Sequence, residues 1–248
     1  MSVRAPGLLI GVVALVASCG GGISEVEDNE AFTVAVSDDA RRVSDEAGLE
    51  LDRLVTGSAA KVFTLLPHAG QVRIRVQLDA SQTIPYVGVG GYTDPEDGSV
   101  SLWIDESPPG ELRNALQTWV PATLAHELHH SSRIRTGPGY GTTLGEAMVS
   151  EGLADHFTEE AFPTTPPQPW DNALSEDQEH AVWQRAETQL WSGHDHRLWF
   201  FGGPDIPRWA GYSLGYSIVE RFLDEGRSAA GSAKVPARTV VQPYARRS

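Results

Sequence analysis

The sequence predicts an α+β domain, a small and mainly antiparallel sheet followed by a helical half. Two observations carry that expectation. Val72-Arg-Ile-Arg-Val-Gln-Leu78 alternates apolar and polar residues without a break and reads as a half-buried strand, and Val100-Ser-Leu-Trp-Ile104 is a further extended candidate. The chain after Pro121 then changes to helix-forming residues with helix-start signals at Pro121 and Thr143.

In chain order, Arg4 followed by the apolar run Leu8 to Ala17 has the length of a signal peptide, too short for a stable membrane span. It ends in Val16-Ala17-Ser18-Cys19, a lipobox closing on the only cysteine. Residues 1–18 are therefore expected to be a lipoprotein signal peptide, with Cys19 lipidated and the protein tethered on the exported face of a bacterial cell-envelope membrane. Gly20-Gly21-Gly22 and the acidic stretch to about Ala35 read as a flexible tether, which leaves 36–248 as one domain. Asp38 to Val55 has near-helical apolar spacing with a weak point at Gly48. Tyr86 to Gly91 is a further extended candidate, and Thr93-Asp-Pro-Glu-Asp-Gly98 reads as a solvated hairpin turn.

Pro121 suits the first turn of the helix that holds His126-Glu-Leu-His-His130. Thr143-Leu-Gly-Glu146 has capping-box spacing and starts the next helix. Pro163 to Pro169 is a loop that ends that helix beside the expected cleft. Ser175 to Leu190 reads as an amphipathic scaffold helix, and Gly211-Tyr-Ser-Leu-Gly-Tyr216 precedes a helical run ending near Phe222.

At 248 residues, with 40% hydrophobic content and seven Trp, the chain has enough apolar material for one sizeable core. Its formal net charge of −14 argues against nucleic acid as a partner, because phosphate binding needs clustered Lys and Arg. Arg227 to Ser248 is basic but dispersed, and is expected to pair with the acidic body.

The chemistry is concentrated in His126-Glu127-Leu-His-His130. Residues i and i+4 share a helix face, so His126 and His130 can offer two imidazole nitrogens to one zinc ion, with Glu127 beside it as base. A third ligand is sought among Glu146 and Glu151. Glu146 is committed to the capping box, which leaves Glu151, two turns into its helix. Asp155, one turn further on, is spaced to accept the second ring N–H of a liganding histidine. Helical periodicity turns His129 about 100° away from His130, and His156 turns away from Asp155 in the same manner.

The pair His-Glu-x-x-His and Glu-x-x-x-Asp resembles the gluzincin metallopeptidases. The longer strings Ala125 to His130, Thr143 to Phe157 and Ala210 to Val219 are similar to a bacterial family of predicted zinc-dependent proteases, over roughly Val72 to the C-terminus. The resemblance implies a gluzincin-like fold with zinc between sheet and helices, His126, His130 and Glu151 as ligands, and Glu127 as catalytic base. It also implies an edge strand above the metal that pairs with an extended peptide, for which Gly98 to Ile104 is the candidate. Ser150 departs from the pattern, because many gluzincins carry Asn there.

The expected activity is therefore peptide-bond hydrolysis of a peptide or protein substrate. Water is activated by zinc and Glu127, and an oxyanion donor comes from Tyr212 or Tyr216, with Arg208, His194 and His196 behind them. Tyr212 ranks first. The competing expectation is an inactive lipoprotein that binds a peptide or partner and keeps zinc for structure alone.

Overall fold

The computed structural model describes residues 27–28 and 30–246. The expected signal peptide, Cys19 and most of the expected tether lie outside the described residues.

A five-stranded sheet is built from β1 (Glu27–Asp28), β2 (Phe32–Val36), β3 (Val72–Leu78), β4 (Val89–Thr93) and β5 (Val100–Ile104), in the spatial order β1-β2-β3-β5-β4. The folded part thus begins before the boundary expected near Ala35, since Phe32, Val34 and Val36 are buried in the sheet. Nor is the sheet mainly antiparallel. Its two inner pairs, β2–β3 and β3–β5, are parallel, and only the outer pairs β1–β2 and β4–β5 run antiparallel. Alternation in a strand tells which face is buried and is silent on direction. Direction follows from the connection, and here β2 returns to β3 through two helices, α1 (Asp38–Glu46) and α2 (Leu51–Phe63), a crossover that makes the pair parallel.

The expected helix over Asp38 to Val55 is broken at Gly48, whose φ of 71° only glycine adopts easily, and the chain restarts at Leu51. Val72, Ile74 and Val76 are buried while Arg73, Arg75 and Gln77 are exposed, so the helices cover one face of the sheet and water meets the other.

Helix α3 (Leu112–Thr136) runs 25 residues across the sheet at β4 and β5. It begins nine residues before Pro121, so the proline sits inside the helix and not in its first turn. An interior proline loses one backbone hydrogen bond and costs about 3 kcal/mol. Burial of Val120, Pro121, Ala122, Leu124 and Ala125 against the rest of the core offsets that cost.

Helix α4 (Leu144–Ala161) starts at the Thr143–Glu146 capping box and is buried along nearly its whole length. Behind it lie α5 (Glu176–Glu187), itself opened by a Ser175–Gln178 capping box, α6 (Ala210–Leu223), α7 (Ala229–Ser232) and α8 (Ala237–Ala245). Gly211 to Tyr216 lie inside α6, not ahead of it. The axes of α4 and α6 approach through paired glycines: a Cβ on Gly152 would strike the backbone of Gly215, and one on Gly215 the backbone of Met148. Among the described residues no helix is long and apolar enough to cross a membrane.

Candidate metal centre

Helices α3 and α4 face each other across the edge of the sheet, and three side chains converge between them. His126 Nε2 lies 3.0 Å from His130 Nε2 and 3.1 Å from Glu151 Oε2, and His130 Nε2 lies 3.5 Å from the same oxygen. A tetrahedral zinc with bonds of about 2.0–2.1 Å has ligand–ligand edges of about 3.3 Å, so this donor set has the size and the chemistry of a zinc site. Three donors leave one tetrahedral position for a non-protein ligand.

Each donor is oriented from behind. His126 Nδ1 lies 2.9 Å from Asp155 Oδ1, and Trp170 Nε1 donates to Asp155 Oδ2 at 3.2 Å. His130 Nδ1 lies 3.2 Å from Ser150 Oγ, so the residue that departs from the gluzincin pattern has a partner here. The Tyr140 hydroxyl donates to Glu151 Oε1 at 2.6 Å, which leaves Oε2 as the oxygen turned to the histidines. Sequence reasoning misses Tyr140. Its signal is a lone aromatic in the glycine-rich connection Gly137-Pro-Gly-Tyr-Gly141 between the two helices.

Burial disfavours a charged His126, but the carboxylates of Asp155 and Glu151 outweigh it and hold the imidazole pKa well above its usual value. Burial likewise opposes ionisation of Glu151, yet His130 and His126 hold it well below the usual carboxylate range. The coupling keeps Glu151 anionic, the form in which a carboxylate ligates a cation, whereas His126 and His130 would ligate one only as neutral imidazoles. Asp171 behind Asp155 behaves in the opposite way: burial and the Asp155 charge push it up to about 8.

Glu127 is 7% exposed and does not join the cluster. The Thr93 hydroxyl reaches its Oε2 at 2.7 Å and its main-chain oxygen at 2.8 Å, and has one proton to share between them. Thr93 carries no mark in the sequence beyond its place at the start of a turn. Strand β4 passes so close over Glu127 that a Cβ on Gly91 would lie 2.6 Å from Glu127 Cγ.

The strand at this edge is β4, not the expected Gly98 to Ile104. That segment forms β5 and is enclosed between β3 and β4. The chain leaves β3, forms the outermost strand first, and the Asp94–Gly98 turn then brings it back inside. Asp105 N–H donates to Gly88 and Asp94 N–H to Ser99, so even-numbered residues of β4 pair with β5 and odd-numbered ones face outward. Among the described residues, the main-chain N–H and C=O of Gly91 and Thr93 have no partner.

Two cavities open from the centre and share Gly91, His126, Glu127 and Tyr212. One, of about 380 Å³, reaches His130, Tyr140, Glu151 and His196. The other, of about 520 Å³, runs past Thr123 and Trp170 to Arg208 and Trp209.

Tyr212 lines both. Burial and the nearby carboxylates of Glu151, Asp155 and Glu127 raise its pKa well above the usual phenol value, so it stays a proton donor at neutral pH. Tyr216 is excluded from the site, because its hydroxyl donates to Glu159 at 2.8 Å and its ring stacks on His156. His196 lines the smaller cavity, while His194 does not, and Arg208 lies at the far end of the larger one. His129 is buried against Phe157, and His156 meets the Tyr216 carbonyl, so neither joins the donors. Glu146 caps α4 and takes no part.

A helix-borne His-Glu-x-x-His completed by a glutamate from the next helix, beside a strand edge, is a centre that could hold one metal ion. This chain belongs to the family of predicted Zn-dependent proteases (DUF2268), whose profile matches residues 57–242. Two curated relatives from Bacillus subtilis strain 168 are themselves uncharacterized: YjfC is 26% identical over 171 residues, 63% of this chain and 54% of its own, and YjaZ 28% identical over 127 residues, 48% and 49% respectively. The chain therefore spans about half the length of the curated relatives it matches. Among solved structures it is similar to an aminopeptidase N family protein from Idiomarina loihiensis, at 14% identity and a TM-score of 0.44, over 87% of this chain and 40% of that one. That likeness is too loose to bear on the site.

Proposed function

We propose that this chain is a gluzincin-type zinc peptidase, with His126, His130 and Glu151 as the metal ligands and Glu127 as the catalytic base. The observation that carries the reading is the convergence of those three donors to tetrahedral spacing directly beside a carboxylate that is not one of them. When bound, zinc supplies Lewis-acid polarisation of a carbonyl and acidification of water.

The chain's own residues do the rest. Glu127 takes the proton of the attacking water and returns it to the leaving amine. Thr93 holds one of its oxygens, which leaves the other toward the cleft. The outward main-chain groups of Gly91 and Thr93 offer an extended substrate two positions of strand pairing, and so set the peptide across the base. Tyr212, whose proton is not committed to Glu151 as that of Tyr140 is, donates to the oxyanion.

A structural zinc site is closed by four protein ligands, and the three donors here, flanked by two cavities, favour the catalytic alternative. The same proposal places the protein at the cell envelope through a lipidated Cys19, a part that rests on the lipobox alone.

The test is a peptide library offered to the zinc-loaded wild type and to Glu127→Gln, with zinc stoichiometry measured on both. Wild-type cleavage should fall about 10²–10⁴-fold in the variant with its zinc retained. Equal turnover by the two proteins would remove Glu127 from the mechanism.

A further inference from the structure

We propose that the larger cavity is a specificity subsite for a carboxylate next to an apolar side chain, and that Arg208 reads the charge. The inference rests on the peptidase reading of the same centre and names its substrate class.

The charge argument starts from the whole chain. It carries 33 acidic and 19 basic side chains, and most arginines near an acid use it: Arg41 with Asp52, Arg73 with Asp97, Arg185 with Asp205 and Arg227 with Glu225. Among the described residues Arg208 has no carboxylate or hydrogen-bond partner, although it lines a cavity that ends at His126 and Glu127. Its guanidinium lies over the Trp209 ring at 4.3 Å and is 5.7 Å from the centre of Tyr86. Stacking of this kind holds a guanidinium while leaving its N–H edges free to fork onto a carboxylate.

The backbone holds it too. Trp209 is the only non-glycine residue with positive φ among those described, at 65°, and Gly202 approaches so closely that a Cβ there would lie 2.8 Å from Arg208 Cα. A loop that keeps a tryptophan in the left-handed region next to a cleft is a sign of a constrained binding element.

The apolar half comes from the walls. Ile84, Pro85, Val87, Phe201 and Trp170 line the same cavity as Arg208. Four large apolar side chains are exposed among the described residues, and three of them, Tyr86, Tyr92 and Phe201, flank the cleft. Exposed aromatics gathered at one place mark a surface that is covered by something in use. An extended substrate laid along β4 would enter this arm with an apolar side chain on the wall and a carboxylate at Arg208. The carboxylate can belong to an Asp or Glu side chain or to the substrate's own C-terminus.

The experiment measures both binding and cleavage. Extended peptides are synthesised in matched pairs, Glu against Gln at successive positions beside a Phe or Leu, each as free acid and as C-terminal amide. Their affinity is measured for zinc-loaded Glu127→Gln, and their kcat/KM for the wild type. The acidic member of one pair, Glu over Gln or free acid over amide, should be preferred about tenfold, the scale of one charge-assisted forked contact, and which pair shows it tells side chain from C-terminus; a preference for the neutral member would overturn the subsite. Adding Arg208→Gln should bring that ratio to within twofold of one. Arg53→Gln, which removes an exposed charge on α2, should leave it intact. Peptides that bind Glu127→Gln with the preference but are never cut by the wild type would remove the peptidase reading and keep the subsite. A ratio near one, a ratio that survives Arg208→Gln, or no binding by any peptide would overturn the subsite, and cleavage by the wild type would still stand.

Discussion

Gly91→Ala puts the relation between β4 and the base under direct strain. The new methyl group would lie 2.6 Å from Glu127 Cγ, 2.7 Å from Glu127 Oε1 and 2.8 Å from Thr123 Cγ2. Carbon atoms settle at about 3.5–4.0 Å, so something must move by about 1 Å. The φ of Gly91 is not positive, so alanine suits the backbone there and the conflict is steric alone. Retreat of β4 is resisted by its pairing to β5, and Thr123 belongs to α3 itself, so the softest response is a swing of the Glu127 side chain away from Thr93. Overpacking of this size costs about 1–3 kcal/mol, which for a domain of this size lowers Tm by roughly 2–12 °C. A shift of 1 Å in a catalytic group costs about 10²-fold in rate. The three metal donors are not touched. The expected result is therefore a folded, zinc-loaded protein with kcat/KM on a peptide substrate reduced about 10²-fold. A Gly91→Ala protein with full zinc and activity within threefold of wild type would refute the placement of Glu127 under β4.

Three further outcomes follow from the same geometry. Asp155→Asn should weaken zinc affinity about 10–100-fold in a chelator competition, because it removes the anion that holds His126 Nδ1–H, while circular dichroism stays native. Tyr212→Phe should lower kcat about 10²–10³-fold with zinc content unchanged, whereas Tyr140→Phe should act on zinc retention, since its hydroxyl is bonded to the ligand Glu151. Glu159→Gln tests a pair facing away from the centre. His156 is raised above 6.5, burial being outweighed by Glu159 and the Tyr216 carbonyl, so its share of stability is complete below 6.5 and fades as pH rises through the folded value. Glu159 is lowered below 4.5, chiefly by His156, so its share is complete above 4.5 and fades as pH falls through the folded value. The Tm difference from wild type should peak between about pH 4.5 and 6.5 and narrow on both sides, staying within the 1 kcal/mol or so typical of half-exposed pairs. A difference constant from pH 4 to 9 would count against the pairing.

The convergence of the three candidate donors is legible in the sequence because helical periodicity converts the spacing of His126 and His130 directly into proximity, and because the capping box at Thr143 leaves Glu151 as the free acid. Asp155 is legible by the same one-turn rule. Tyr140, Thr93 and Ser150 reach the centre from a loop, a strand end and a neighbouring helix position, where no period links sequence to space. The strand edge escapes sequence reasoning for a related reason. Val100 to Ile104 reads as extended in the sequence, but whether it lies at an edge depends on how β4 and β5 are ordered beside β3, which a strand signal does not encode. The glycines of the preceding stretch, Val87-Gly-Val-Gly-Gly91, weaken its strand signal and conceal the true edge, although Gly91 is what allows that edge to lie against α3. Pro121 reads as a helix start because proline favours that position, and burial of the surrounding turn overrides the preference.

The glycine-on-backbone contact of α4 with α6 has a consequence for evolution of the chain. Glu151 and Asp155 ride on one of these helices and Tyr212 on the other, so the distance from carboxylate to phenol is set by two residues that have no side chain to vary. Even a single methyl at Gly152 or Gly215 would wedge the pair apart and carry the phenol off with α6. Drift can therefore remodel the cleft loops and the rim while this spacing stays locked, and a chain of the same family that has lost either glycine should be examined first for loss of turnover.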